Sequence, residues 1–227
     1  MPFSTVLRVV LGGISLLAGT GAIVAWWDEI QVALRGKRLA VLGARGVGKT
    51  HLVKFLTTGS IPANYKQTIA PEKASARRFQ LKKLDLKIKD TLDVSGDKAA
   101  YAEWKELYDK ADVVFYLLRA DSLMAGDTDA ANRVRDDLQH IGDWLSLRQP
   151  RPKLFIVGTH CDLDHEFPGR STDRFGDYVD RFRRLPIVLE LVARGGGTQQ
   201  TKVVLGSMKT VRDTEELVYG IFQQVIS

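Results

Sequence analysis

Eight consecutive residues, Gly43-Ala44-Arg45-Gly46-Val47-Gly48-Lys49-Thr50, restrict this chain more than any other feature. They fill the pattern G-x-x-x-x-G-K-[ST], and their flanks supply the context that gives it meaning. Lys37 to Leu42 read as a short aliphatic strand, and His51 to Thr57 carry apolar residues at Leu52, Val53, Phe55 and Leu56 in helical spacing. A glycine-rich turn arising by chance would not be expected between a strand and a helix in that order. The glycines let backbone N–H groups curl around a phosphate, and the helix N-terminus adds positive potential. Lys49 can reach the β- and γ-phosphate oxygens of a nucleotide, and Thr50 offers a hydroxyl to Mg²⁺. Gly43 through His51 are therefore the first candidate binding residues.

A second feature lies upstream. From Val9 to Trp27 no residue is charged. Such a run, at about 1.5 Å per helical residue, covers roughly the 30 Å hydrocarbon core of a bilayer. Trp26 and Trp27 stand where it meets Asp28 and Glu29, as aromatics do at a headgroup interface. The expected layout is an N-terminal tip at 1–8, a transmembrane helix at 9–27, a linker at 28–36 and one domain at 37–227. A cleaved signal ending near Thr20-Gly21-Ala22 and a buried helix of a soluble domain are the alternatives. Arg35, Lys37 and Arg38 follow the stretch and only Arg8 precedes it, which places the domain on the cytoplasmic side of a single-pass span.

The formal net charge is +6, and part of the excess is local. Between Lys73 and Lys89 seven cations face one acid, Asp85. No nucleic-acid motif accompanies this run, so nucleic acid is not the expected partner. A solvated hairpin face is the simplest account, and anionic headgroups are the next. The lone cysteine, Cys161, excludes an intrachain disulfide.

Three later segments resemble the motifs of Ras-like G domains, in order and spacing, and most closely those of the Arf-like, Sar-like and signal-recognition-particle-receptor beta branch. Leu92-Asp93-Val94-Ser95-Gly96 resembles D-x-x-G. Thr159-His160-Cys161-Asp162, after the strand Lys153 to Gly158, looks like a divergent N-K-x-D. Val203 to Lys209 resembles a strand ending in S-A-K, with Ser207, Met208 and Lys209 at the motif. The resemblance implies an α/β fold, a P-loop G domain with a mostly parallel sheet covered by helices, which binds GTP or GDP with Mg²⁺. It implies that Asp93 binds Mg²⁺ through water and that the Gly96 amide senses the γ-phosphate. Thr68 resembles the switch threonine that closes on Mg²⁺. Asp162 would accept two hydrogen bonds from guanine, which adenine cannot supply in that arrangement. Thr159 and His160 replace the usual Asn and Lys, so His160 could stack on the base, and an ATP-using protein stays open.

For catalysis the candidates are Lys49, Thr68, Arg45 and Asp97. Asp97 stands where the family has a water-positioning glutamine, and Arg45 lies in the phosphate loop. The two could pair, Arg45 could stabilise transition-state charge, or hydrolysis could be crippled. Slow hydrolysis is the expectation, with a protein-docking scaffold as the rival. The sequence implies a protein partner and does not identify it. Asp164, His165 and Glu166 lack metal-ligand spacing and read as a solvated loop. The remaining periodicity predicts a strand over Ala111 to Leu118 and helices over Asp127 to Leu147, Thr172 to Val192 and Thr210 to Ile226.

Overall fold

A computed structural model describes residues 37–58, 76–81, 84–89 and 98–226. The charge-free stretch 9–27 and linker 28–36 lie outside the described residues, as do Thr68, Asp93, Gly96 and Asp97. Among the described residues no helix is long and apolar enough to cross a membrane.

The chain alternates strand and helix: β1 (Leu39–Gly43), α1 (Lys49–Thr58), β2 (Ala76–Leu81), β3 (Leu84–Lys89), α2 (Lys98–Lys110), β4 (Val113–Arg119), α3 (Ala120–Met124) and α4 (Thr128–Leu147). Then follow β5 (Lys153–Thr159), α5 (Phe175–Arg183), α6 (Pro186–Arg194), α7 (Gly197–Gln200), β6 (Thr201–Leu205) and α8 (Val211–Ile226). The six strands form one sheet in the order β2-β3-β1-β4-β5-β6. β3, β1, β4, β5 and β6 are parallel, and β2 pairs antiparallel with β3 at one edge.

The central strands are aliphatic because they are covered on both faces, as parallel sheets require. Side chains alternate between the two covers. Leu39 and Val41 of β1, Phe115 and Leu117 of β4, and Phe155 and Val157 of β5 pack with α1 and α8 residues such as Phe55, Leu56, Leu217 and Phe222. Ala40, Leu42, Tyr116, Leu118, Leu154 and Ile156 face the other way, against α2, α4, α5 and α6 through Trp104, Leu138, Phe182 and Leu191. Each fully buried aliphatic or Phe side chain contributes about 1.5–3 kcal/mol, which makes these two layers the main source of stability.

Local chemistry sets the helix ends. Asp127 caps α4, accepting from the N–H groups of Asp129 at 2.9 Å and Ala130 at 3.1 Å. Thr210 and Asp213 cap α8 reciprocally, with Thr210 N 3.1 Å from Asp213 Oδ2 and Asp213 N 3.1 Å from Thr210 Oγ1. The helix expected over Thr172 to Val192 is instead two helices. Pro186 opens the second, because proline has no N–H to continue α5 and holds Leu185 in extended backbone (φ −60°, ψ 132°).

The strand register brings Gly43, Arg119, Thr159 and Leu205 to one end of the sheet. There α1 leaves β1 for one face while α2 and α4 occupy the other. A crevice at such a reversal is where open α/β sheets receive ligands.

Candidate nucleotide-binding site

The phosphate loop joins β1 to α1 at that end, and its glycines are needed for stated reasons. Gly46 and Gly48 have φ of +79° and +92°, conformations that cost a residue with a Cβ. Gly43, at φ +143°, lies so close to the neighbouring strand that a Cβ would stand 2.3 Å from the Leu117 carbonyl oxygen. Val47 is buried in the layer beneath and fixes the loop to the core. Lys49 is 6% exposed, and its ammonium donates to the carbonyls of Gly43 at 2.8 Å and Ala44 at 2.7 Å. Its charge is thus held at the centre of the loop. Arg45 at the apex and Thr50 on the first helical turn are exposed.

The base-reading segments meet this loop from the far side. Asp162, in a short 3₁₀ turn after β5, accepts from the Ser207 hydroxyl at 2.7 Å, and the Lys209 N–H donates to the Ser207 oxygen at 3.0 Å. Backbone bonds Gly206 N to Gly158 O (3.0 Å) and Cys161 N to Gly206 O (3.3 Å) hold the two loops together. Thr159 is wholly buried, and its Oγ1 lies 3.0 Å from Val47 O, 3.1 Å from Leu118 O and 2.8 Å from His160 Nδ1. One hydroxyl proton serves one carbonyl at a time, while the oxygen accepts from His160 in its Nδ1-protonated tautomer. A threonine therefore ties the base loop to the phosphate loop. Met208 completes the contact, for a Cβ on Gly48 would stand 2.3 Å from its terminal methyl.

Two histidines face this junction. His160 has φ +58°, the left-handed conformation. His51 follows Thr50, and its buried Nε2 has no hydrogen-bond partner. Burial lowers the pKa of both. For His51 the charges of His160 and Lys54 add to that lowering. For His160 Arg119 lowers further, while Asp121 and Asp162 oppose. Cys161 is buried with its thiol pushed up to about 12, which leaves it without thiolate reactivity.

The structure thus brings together Gly43, Ala44, Arg45, Gly46, Val47, Gly48, Lys49, Thr50 and His51 with Thr159, His160, Asp162, Ser207, Met208 and Lys209. Of the expected Mg²⁺ ligands only Thr50 is described. The positive-φ glycines and the central lysine fit a polyphosphate. In the acidic loop, Asp164 accepts from the Tyr178 hydroxyl at 2.8 Å and Glu166 pairs with Arg181 at 2.5 Å.

Three supporting groups were not found from sequence. Asp137 of α4 is fully buried and accepts from Tyr116 (2.9 Å), Tyr101 (3.0 Å) and Arg133 Nε (3.0 Å), with burial raising its pKa. It forms one wall of a cavity of about 290 Å³ that reaches Ala44 and Arg45. Its signal was an acid on the apolar stripe Val134, Leu138, Ile141. Arg170 donates to Leu205 O and lies 4.9 Å over the Phe175 ring, with its pKa lowered to about 10 by burial. A Cβ on Gly220 would stand 2.0 Å from its guanidinium, and a glycine inside a helix is itself a mark of close approach. Arg119 forms a two-pronged pair with Asp121 beside the base loop, with Nε 3.0 Å from Oδ1.

A model of the Ras family matches residues 38–174. Among solved structures the chain is similar to an ADP-ribosylation-factor-like GTP-binding protein, the small COPII coat GTPase Sar1 of Encephalitozoon cuniculi, determined in complex with GDP. The identity is 15%, the alignment covers 98% of this chain and 95% of that one, and the TM-score is 0.50. That likeness speaks to fold. No curated protein matches the chain.

Proposed function

The chain belongs to the Ras family, and from that premise we propose that it is a membrane-anchored switch that binds GTP and GDP with Mg²⁺ and hydrolyses GTP slowly. The observation that carries the reading is the convergence of two loops on one crevice. One has Lys49 at the centre of a positive-φ glycine cradle, and the other presents Asp162 already held by Ser207. Phosphate recognition and guanine recognition require those two chemistries side by side.

Thr50, with Thr68 and Asp93, would hold Mg²⁺. The ion, when bound, supplies charge neutralisation at the phosphates. Lys49 would leave the neutral Gly43 and Ala44 carbonyls for anionic phosphate oxygens, its own charge unchanged. His160 would cover the base in place of the usual lysine stem. Arg45 is exposed at the loop apex, free to turn toward developing charge or toward Asp97. Anchoring would come from the stretch 9–27, with the domain cytoplasmic. The substitution of Asp97 for a water-positioning glutamine favours one second reading, a hydrolysis-deficient scaffold that recruits a protein partner to the membrane in a nucleotide-dependent way.

Calorimetry on the full chain in detergent, with Mg²⁺, should show GDP and GTP binding at least about 100-fold more tightly than ADP and ATP. Equal affinity for adenine nucleotides would remove the guanine assignment. Phosphate release separates the two remaining readings: slow turnover that Arg45→Ala reduces supports the switch, and none at all leaves the scaffold.

A further inference from the structure

The two ends of the parallel sheet differ in their balance of charge. At the end where β1, β4, β5 and β6 begin, the backbone register aligns Leu39 with Val113 and Val113 with Lys153, and Leu154 with Thr201. The residues around those starts are cationic: Arg38, Lys110, Arg148, Arg151, Lys153 and Lys202. Four of them, Arg38, Lys110, Arg151 and Lys153, are exposed. The acids among them are engaged, since Asp112 bonds Arg38 and Asp109 bonds Lys105. The opposite end is mixed: Asp121, Asp127, Asp164 and Glu166 surround a groove of about 400 Å³, Asp121 pairs with Arg119 and Glu166 with Arg181, and Arg45 and Lys209 are exposed at the nucleotide loops.

We infer that the cationic end is a docking face for the anionic headgroups of the bilayer, holding the domain with its nucleotide crevice pointed away from the membrane. The inference rests on the anchor reading above. Chain geometry supports it: Lys37 emerges at this end, and the linker 28–36 fully extended spans at most about 30 Å. β5 alone is about 23 Å long, so a domain resting on this face carries its crevice end about that much farther from the bilayer. Cations near an anionic surface gain from its potential within a Debye length. A flexible tether with no such face would leave the domain free to tumble, and with the charges reversed the crevice would be occluded.

The test uses the full chain reconstituted in vesicles, with a donor dye on Gln200→Cys at the cationic end or on His165→Cys at the crevice end. His165 is 93% exposed, and Gln200 is exposed. The acceptor is a headgroup-labelled lipid. In vesicles with phosphatidylserine, transfer from position 200 should exceed that from position 165 about twofold or more, and the difference should shrink as salt rises from about 0.05 to 0.5 M. The double variant Lys110→Glu/Arg151→Glu, both exposed, should remove the difference while nucleotide binding stays unchanged. Equal transfer from both positions, a crevice end nearer the lipid, or a difference untouched by salt and by the variant overturns the inference. Flotation separates it from the anchor reading. Flotation with phosphatidylcholine alone upholds the anchor whatever the dyes report. Flotation only with phosphatidylserine, lost in the variant, upholds the face without the anchor. No flotation with either overturns both. Displacement by bulk RNA with no preference between lipids also counts against it.

Discussion

The two halves of the crevice are built by different means. The phosphate-loop half is one continuous segment defined by its backbone conformation: left-handed glycines at 46 and 48 and a lysine folded onto the carbonyls of Gly43 and Ala44. The base half is assembled from Thr159, Asp162 and Ser207, separated by up to 48 positions, and held by side-chain bonds back to Val47 and to one another. A conformation that needs positive φ admits almost no residue but glycine, so the first half carries an intact motif. A tie that needs only a donor at the right place accepts threonine as well as a larger amide. The departures at Thr159 and His160 therefore fall in the second half without dismantling it, while Arg45 occupies a position of the phosphate loop that requires no glycine.

The sharpest way to break that comparison lies within the phosphate loop. Gly43→Ala would force a Cβ to within 2.3 Å of the Leu117 carbonyl oxygen and 3.0 Å of the Val47 side chain. That carbonyl belongs to the β1–β4 ladder and cannot retreat without loss of sheet pairing. Denaturant unfolding should show a loss of about 3–5 kcal/mol, with nucleotide binding abolished. At Gly46, where φ is +79°, an added methyl would meet nothing within 4 Å. Gly46→Ala should cost only about 1–2 kcal/mol, the strain of the left-handed conformation. Comparable losses at both positions would show that close packing against β4 is not what fixes the loop.

A smaller effect is expected on the base side. Asp162→Ala removes the carboxylate that would read guanine and leaves the Ser207 hydroxyl without this acceptor. GDP affinity should fall about 100-fold, roughly 2.7 kcal/mol, with stability reduced by no more than about 1 kcal/mol. ADP binding should be unaffected. A loss shared equally by both nucleotides would mean that Asp162 supports the loop and does not read the base.

How much of this was legible follows the same division. The phosphate loop, its flanking elements and the parallel aliphatic strands were readable because the demands on them are local: period, glycine position, charge. The break between α5 and α6 was also written in Pro186, but the apolar periodicity running across it concealed the stop. Arg170 and Asp137 could not be placed, because the hydrogen-bond partners that hold them, Leu205 O for the first and Tyr116 and Tyr101 for the second, come from other elements. Only the fold shows that Gly220 sits against the Arg170 guanidinium. Similarly, the sequence showed Thr159 as a departure from the family pattern, and the fold shows the tie that its hydroxyl makes.

The smallest predicted effect concerns the two histidines where the halves join. Burial holds His51 and His160 below the ordinary value, so each is neutral in the fold to lower pH than in the unfolded chain. Around His160 stand Arg119, Asp121 and Asp162, and around His51 stand His160 and Lys54. As pH falls below about 6.5, the unfolded chain takes up protons that the folded one still refuses. Their contribution to stability is therefore present above that value and drains away as pH falls toward the depressed folded values. The histidine contribution to the denaturant midpoint should fall between about pH 7.5 and pH 5.5, against the opposite trend of Asp137, whose pKa burial raises. The double variant His51→Asn/His160→Asn should flatten that fall. A pH dependence that the double variant leaves unchanged would mean that these two rings do not titrate between the folded and unfolded states as described, and the neutral junction between the loops would have to be abandoned.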